Sequence, residues 1–74
     1  MSQRVLITGA SGHVGRRLVE VLAEDRGSLQ AIIATDIRAA EQECAGAVYR
    51  QLDICDSALG ECIAEFEIDT VVHL

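Results

Sequence analysis

Apolar and polar positions alternate along the chain in two rhythms. Val5, Leu6 and Ile7 form a continuous apolar run, the pattern of a parallel strand covered on both faces, and predict a first strand over 4–8. Val14, Leu18, Val21 and Leu22 then recur at i, i+4, i+7 and i+8, with Glu20 and Glu24 on other faces and Gly27 placed to end the segment. That is the stripe of an amphipathic helix over roughly 13–25. Ala31 to Thr35 make a second apolar run ending at Asp36, a second strand over 31–35. The polar stretch IRAAEQECAG follows, a connector expected to hold one or two helical turns.

VYRQL sets Val48, Arg50 and Leu52 against Tyr49 and Gln51. This alternation predicts a less fully covered strand over 48–52, placed at a sheet edge. Asp56 and Ser57 offer an N-cap, and Leu59, Cys62, Ile63 and Phe66 have helical spacing, so a second helix is expected over 57–66. DTVVHL supplies a fourth β-branched run, and no cap, turn or polar tail follows it. Strands alternating with helices predict parallel pairing through right-handed crossovers. The fold expected is α/β, the first half of a doubly wound Rossmann-type sheet in order 3-2-1-4 with helices on both faces. Residues 1–74 then read as the N-terminal portion of a longer protein, with DTVVHL left as an apolar edge that invites association.

Composition narrows the function. Half of the 74 residues are apolar, and Tyr49 and Phe66 are the aromatic ones, which suits an aliphatic α/β layer. The formal net charge is −6, so there is no basic stripe to neutralise a phosphate backbone or an anionic membrane. Nucleic acid is not an expected partner. No apolar run approaches the roughly 18 residues of a membrane span, and the expected location is cytoplasmic. Cys44, Cys55 and Cys62 lack both metal-knuckle spacing and an even count and read as inert thiols. No lysine occurs among the six basic residues, which removes a Walker A lysine, a Schiff-base lysine and any lysine that would activate a catalytic tyrosine.

The candidate chemistry lies in RVLITGASGHVGRRL. Gly9 permits a sharp exit from the first strand, Gly12 lets a ligand approach bare backbone, and Gly15 lets helix pack on strand. The helix that follows directs unpaired N–H groups and the positive end of its dipole into the crevice at the strand ends, a site suited to a pyrophosphate. Packing alone is the competing reading of these glycines. Asp36 lies 21 residues after Gly15 at the end of the second strand, where a carboxylate can accept from an adenosine ribose. The alternative is a solvated loop carboxylate. Asp53 occupies the same position after the third strand and either meets an adenine or caps the next turn.

TGASGHVG, with its Gly-x-x-Gly-x-x-Gly spacing, resembles the cofactor motif of the short-chain dehydrogenase/reductase superfamily, most closely its extended branch. ATDIR, LDICD and DTVVHL are similar, in order, to the later strand ends of the NAD-dependent epimerase/dehydratase family, so the resemblance spans nearly the whole chain. It implies that the backbone at Gly12, His13 and Val14 meets the pyrophosphate of NAD, that Asp36 takes the ribose, that Asp53 and Ile54 border the adenine, and that Leu74 begins the next cofactor-lining loop. NAD is expected over NADP, although Arg38 stands close enough to swing over a 2′-phosphate.

The family's Tyr-x-x-x-Lys pair, its catalytic Ser/Thr and its substrate domain have no counterpart in these residues. Tyr49 is followed four residues on by Asp53 and is no substitute. His13 contributes backbone and His73 reads as structural. The intact protein is expected to transfer hydride between NAD and a carbonyl or hydroxyl carbon of a small-molecule substrate, foremost a nucleotide sugar, then a sugar acid or amino acid derivative. It is also expected to form a homodimer. A non-catalytic dinucleotide sensor and a Rossmann-like domain for another adenosine ligand, such as a methyl donor or flavin, are the alternatives. A Tyr-x-x-x-Lys further along the reading frame would decide for the enzyme.

Overall fold

A computed structural model describes residues 3–27 and 29–74. The elements follow in the order β1 (Gln3–Thr8), α1 (His13–Glu24), β2 (Leu29–Asp36), β3 (Val48–Gln51), α2 (Ser57–Glu65) and β4 (Thr70–His73). All pairings are parallel and the sheet runs β3-β2-β1-β4. The expected order 3-2-1-4 is the observed one.

The unbroken apolar runs have the cause proposed for them. Val5 and Ile7 of β1, with Ile32 and Ala34 of β2, face α1, where Val19 and the partly buried Leu18, Leu22 and Ala23 meet them. Leu6 and Ile33 point the other way, onto Cys62, Leu59, Ile63 and Phe66 of α2 and its exit. Because successive side chains of a strand alternate between faces, a strand sandwiched between layers must be apolar at every position. Among the described residues the two buried hydroxyls are satisfied: Thr35 Oγ1 donates to the Ile7 carbonyl at 2.8 Å, and Thr8 Oγ1 pairs with His73 Nδ1 at 2.7 Å.

Two expectations need correction. The buried stripe of α1 is rotated from the expected one: Gly15 and Val19 are buried, whereas Val14 and Val21 are 70% and 44% exposed. Apolar residues flank the true contact line on both sides, and only docking on the sheet selects the phase. The connector 37–47 contains no helix. Side chains claim backbone groups that a helix would need: Asp36 accepts from Arg38 N–H, Tyr49 Oη from Cys44 N–H, and Ser11 and Arg26 donate to the carbonyls of Arg38 and Gly46.

In register, Thr8 lies beside Thr35 and His73, and Asp36 beside Gln51. The strands therefore end together, and the turns that leave them form one rim.

Candidate functional site

The glycine turn is built by three glycines with three different geometries. Gly9 has φ +76°, a left-handed conformation that side chains rarely adopt, and a Cβ there would lie 3.2 Å from the Leu74 carbonyl oxygen. Gly15 stands so close to the turn that a Cβ would fall 2.2 Å from the Gly9 carbonyl oxygen and 2.8 Å from Ala10 Cα. Gly12 is different. A Cβ there would meet only the Gly9 oxygen, at 3.6 Å, so the fold leaves its outer side open.

Gly12 is also the N-cap of α1, with extended backbone (φ −77°, ψ 170°) and no side-chain cap, and no acidic residue occupies the first turn. In α2, by contrast, the Asp56 carboxylate accepts from Ala58 N–H at 3.1 Å. The first N–H groups of a helix have no partner within the helix. In α2 one of them, Ala58 N–H, meets a carboxylate; in α1 Gly12 N–H turns back to the Gly9 carbonyl at 3.3 Å, and His13 and Val14 N–H meet no side-chain cap. Such an end attracts an anion.

Asp36 closes β2 with a side chain only 10% exposed. Its Oδ2 accepts from Ser11 N–H at 2.9 Å and its Oδ1 from Arg38 N–H at 3.0 Å, while Arg38 Nε stands 3.9 Å away. Burial pushes the carboxyl up, but the N–H bonds from Arg38, Ser11 and Ile37 and the Arg38 guanidinium outweigh it and hold the group below the usual carboxylate range. The carboxylate is thus ionised and fixed in place, with lone pairs to spare.

Of the residues singled out in the sequence, Gly9, Asp36, Asp53, Ile54 and Leu74 line one crevice of about 200 Å³ with Thr8, Leu52 and His73. Asp53 keeps part of its alternative role, since its Oδ1 accepts from Cys55 N–H at 2.8 Å. Gly12, His13 and Arg38 lie on a neighbouring cleft of about 240 Å³, shared with Ser11, Arg16, Gln42 and Tyr49. Gly15 is buried beneath the turn, and Val14 projects from α1 into neither cleft. Tyr49 Oη is occupied by Cys44 N–H at 2.8 Å, a structural use.

Sequence reading missed Ser11 and Arg16. Ser11 joins the glycine turn to Asp36 through its N–H, a backbone contact that carries no residue signature. Arg16 puts a cation on the first turn of α1, a placement the helix dipole disfavours. That mismatch was the available signal, and Arg16 also donates to Gln42 Oε1 at 3.1 Å across the cleft.

No curated protein matches the chain by sequence. Solved structures do. An L-threonine dehydrogenase from Clostridium difficile is 29% identical, with a TM-score of 0.80 over 99% of this chain and 24% of its own. A monomeric L-threonine 3-dehydrogenase from a metagenome is 34% identical, with a TM-score of 0.78 over 95% of this chain and 22% of its own. A uronate dehydrogenase variant from Agrobacterium tumefaciens, complexed with NAD, is 25% identical, with a TM-score of 0.73 over 100% of this chain and 26% of its own. The chain thus spans about a quarter of the length of the solved structures it matches. The profile of the NAD dependent epimerase/dehydratase family matches residues 5–74, and with the parallel sheet and the glycine turn in place the chain belongs to that family.

Proposed function

We propose that residues 1–74 are the cofactor-binding portion of a longer oxidoreductase, and that the crevice at the strand ends holds NAD. The observation that carries the reading is the pairing of an uncapped helix start at Gly12 with an ionised, immobilised carboxylate at Asp36. The backbone at Gly12, His13 and Val14 would hold the pyrophosphate, Gly9 and Gly15 would shape the turn beneath it, and Asp36 would accept from the adenosine ribose. Asp53, Ile54 and Leu74 would border the adenine. NAD in that position supplies a hydride acceptor. This chain's own residues bind and orient it, and the acid, base and substrate groups would come from residues beyond Leu74.

A 2′-phosphate would stand against the Asp36 carboxylate, so NAD is preferred to NADP through charge repulsion and loss of the ribose hydrogen bonds. The Arg38 guanidinium, 3.9 Å from Asp36, reduces that preference. The intact protein would move hydride between NAD and a hydroxyl or carbonyl carbon, with a nucleotide sugar as one substrate class. The likeness to L-threonine and uronate dehydrogenases favours a second, the hydroxyl of an amino acid or sugar acid. A homodimer in the cytoplasm is the proposed state.

Calorimetric titration of the intact protein with NAD and NADP, and of its Gly12→Val variant with NAD, tests the reading. Tighter NAD binding is expected, with loss of binding in Gly12→Val while circular dichroism shows a folded protein. Equal or tighter NADP binding would overturn the preference, and unchanged NAD affinity in the variant would reduce the glycines to packing.

A further inference from the structure

The Asp36 carboxylate is tied to two separate segments before any ligand arrives. Oδ2 takes the N–H of Ser11, in the glycine turn one residue before the N-cap of α1, and Oδ1 takes the N–H of Arg38, in the connector. Ser11 Oγ donates in turn to the Arg38 carbonyl at 3.1 Å, closing a small ring between the two segments. One further bond anchors the turn to β2, from Ala10 N–H to the Thr35 carbonyl at 3.0 Å. Ser11 itself is half-buried, and Gly12 beside it has neither side chain nor cap to hold it.

We propose that Asp36 is a positioning residue for the diphosphate as well as a contact for the ribose: its carboxylate fastens the glycine turn so that the N–H groups at the start of α1 face the ligand already aligned. The proposal rests on the reading that this turn receives a diphosphate. Preorganised donors bind without the cost of ordering them at the moment of association. A charged acceptor strengthens each bond in the tether, and the half-buried position limits competition from water.

The proposal predicts a sign. Asp36 is an anion beside a site for anions, so through simple repulsion its removal would tighten the binding of any free phosphate compound. Through the tether, its removal loosens the turn and weakens that binding. The effect expected is about three- to tenfold, the net worth of one hydrogen bond.

The test measures the affinity of the intact protein for NAD and for inorganic pyrophosphate, which has no ribose, in the wild type and in Asp36→Ala and Asp36→Asn. Pyrophosphate is read by competition against NAD. The proposal expects weaker pyrophosphate binding in Asp36→Ala, with partial recovery in Asp36→Asn, whose amide oxygen keeps one of the two acceptors while the charge is gone. Unchanged or tighter pyrophosphate binding in Asp36→Ala, with NAD weakened, would confine Asp36 to the ribose and overturn the proposal while leaving the NAD reading intact. A wild type that binds neither compound would overturn the NAD reading itself. Should both variants fold poorly, amide hydrogen exchange in the ligand-free wild type decides: protection at Ser11 supports the tether, and free exchange there refutes it.

Discussion

Gly15→Ala should destabilise the protein even though it exchanges a poor helix former for the best one. Inside a helix the exchange alone is worth about 1 kcal/mol in favour of alanine. At Gly15 the new methyl would lie 2.2 Å from the Gly9 carbonyl oxygen, 2.8 Å from Ala10 Cα and 3.0 Å from the Gly9 carbonyl carbon. All three are backbone atoms, so no rotamer change relieves the overlap, and roughly 1 Å of separation must be found by moving α1 or the turn. The turn resists, because Ala10 N–H is bonded to Thr35 and Ser11 N–H to Asp36. Lifting α1 would open the contact of Val19, 1% exposed, with the sheet. Overpacking of this kind costs about 3 kcal/mol at the upper end of its usual range, and after the helix gain a net loss of about 2 kcal/mol remains. Urea unfolding of the intact protein followed by circular dichroism would show it as a midpoint lowered by roughly 1 M. Gly60 in α2 is the internal control, since nothing lies within 4 Å of a Cβ there. Gly60→Ala should stabilise by up to about 1 kcal/mol. A Gly15→Ala variant as stable as the wild type, or more so, would refute the steric argument.

Two further outcomes follow from the environments of single side chains. Cys62 is 5% exposed, and burial, with Glu65 nearby, raises its thiol pKa against the opposing pull of Arg50. Ellman's reagent should therefore modify exposed Cys55 first and Cys62 only as the protein unfolds; equal rates in the native protein would contradict this. The Asp36 carboxyl has a folded pKa below its ordinary value of 3.8. Its contribution to stability is then complete above that value and is lost as the pH falls through the lower, folded pKa. The stability difference between wild type and Asp36→Asn, followed by urea midpoints from pH 6 down to pH 3, should shrink at the acid end; a constant difference would sink the assignment.

The sequence by itself determined the layering of this protein. Val5-Leu6-Ile7 and Ala31 to Ala34 have no polar face, so those strands had to be central and covered on both sides, while the alternation at Val48–Gln51 put that strand at an edge. Gly9, Gly15 and Asp36 were legible because each sits where a left-handed backbone, a close backbone approach or a strand end marks the position, whereas nothing in the fold itself demands glycine at Gly12. Tertiary structure alone decided the phase of α1, since apolar residues on three sides of that helix leave its period intact whichever of them faces the sheet. It also decided the form of 37–47, where helix-favouring alanines gave way to bonds from Asp36, Ser11, Arg26 and Tyr49, residues 2 to 27 positions away from their partners along the chain. The tether from Asp36 to Ser11 belongs to the same class. It spans 25 residues and joins a carboxylate to a main-chain N–H, a donor that nearly every residue carries. Pairing of that kind leaves no pattern in a sequence, because only the fold brings its two ends together.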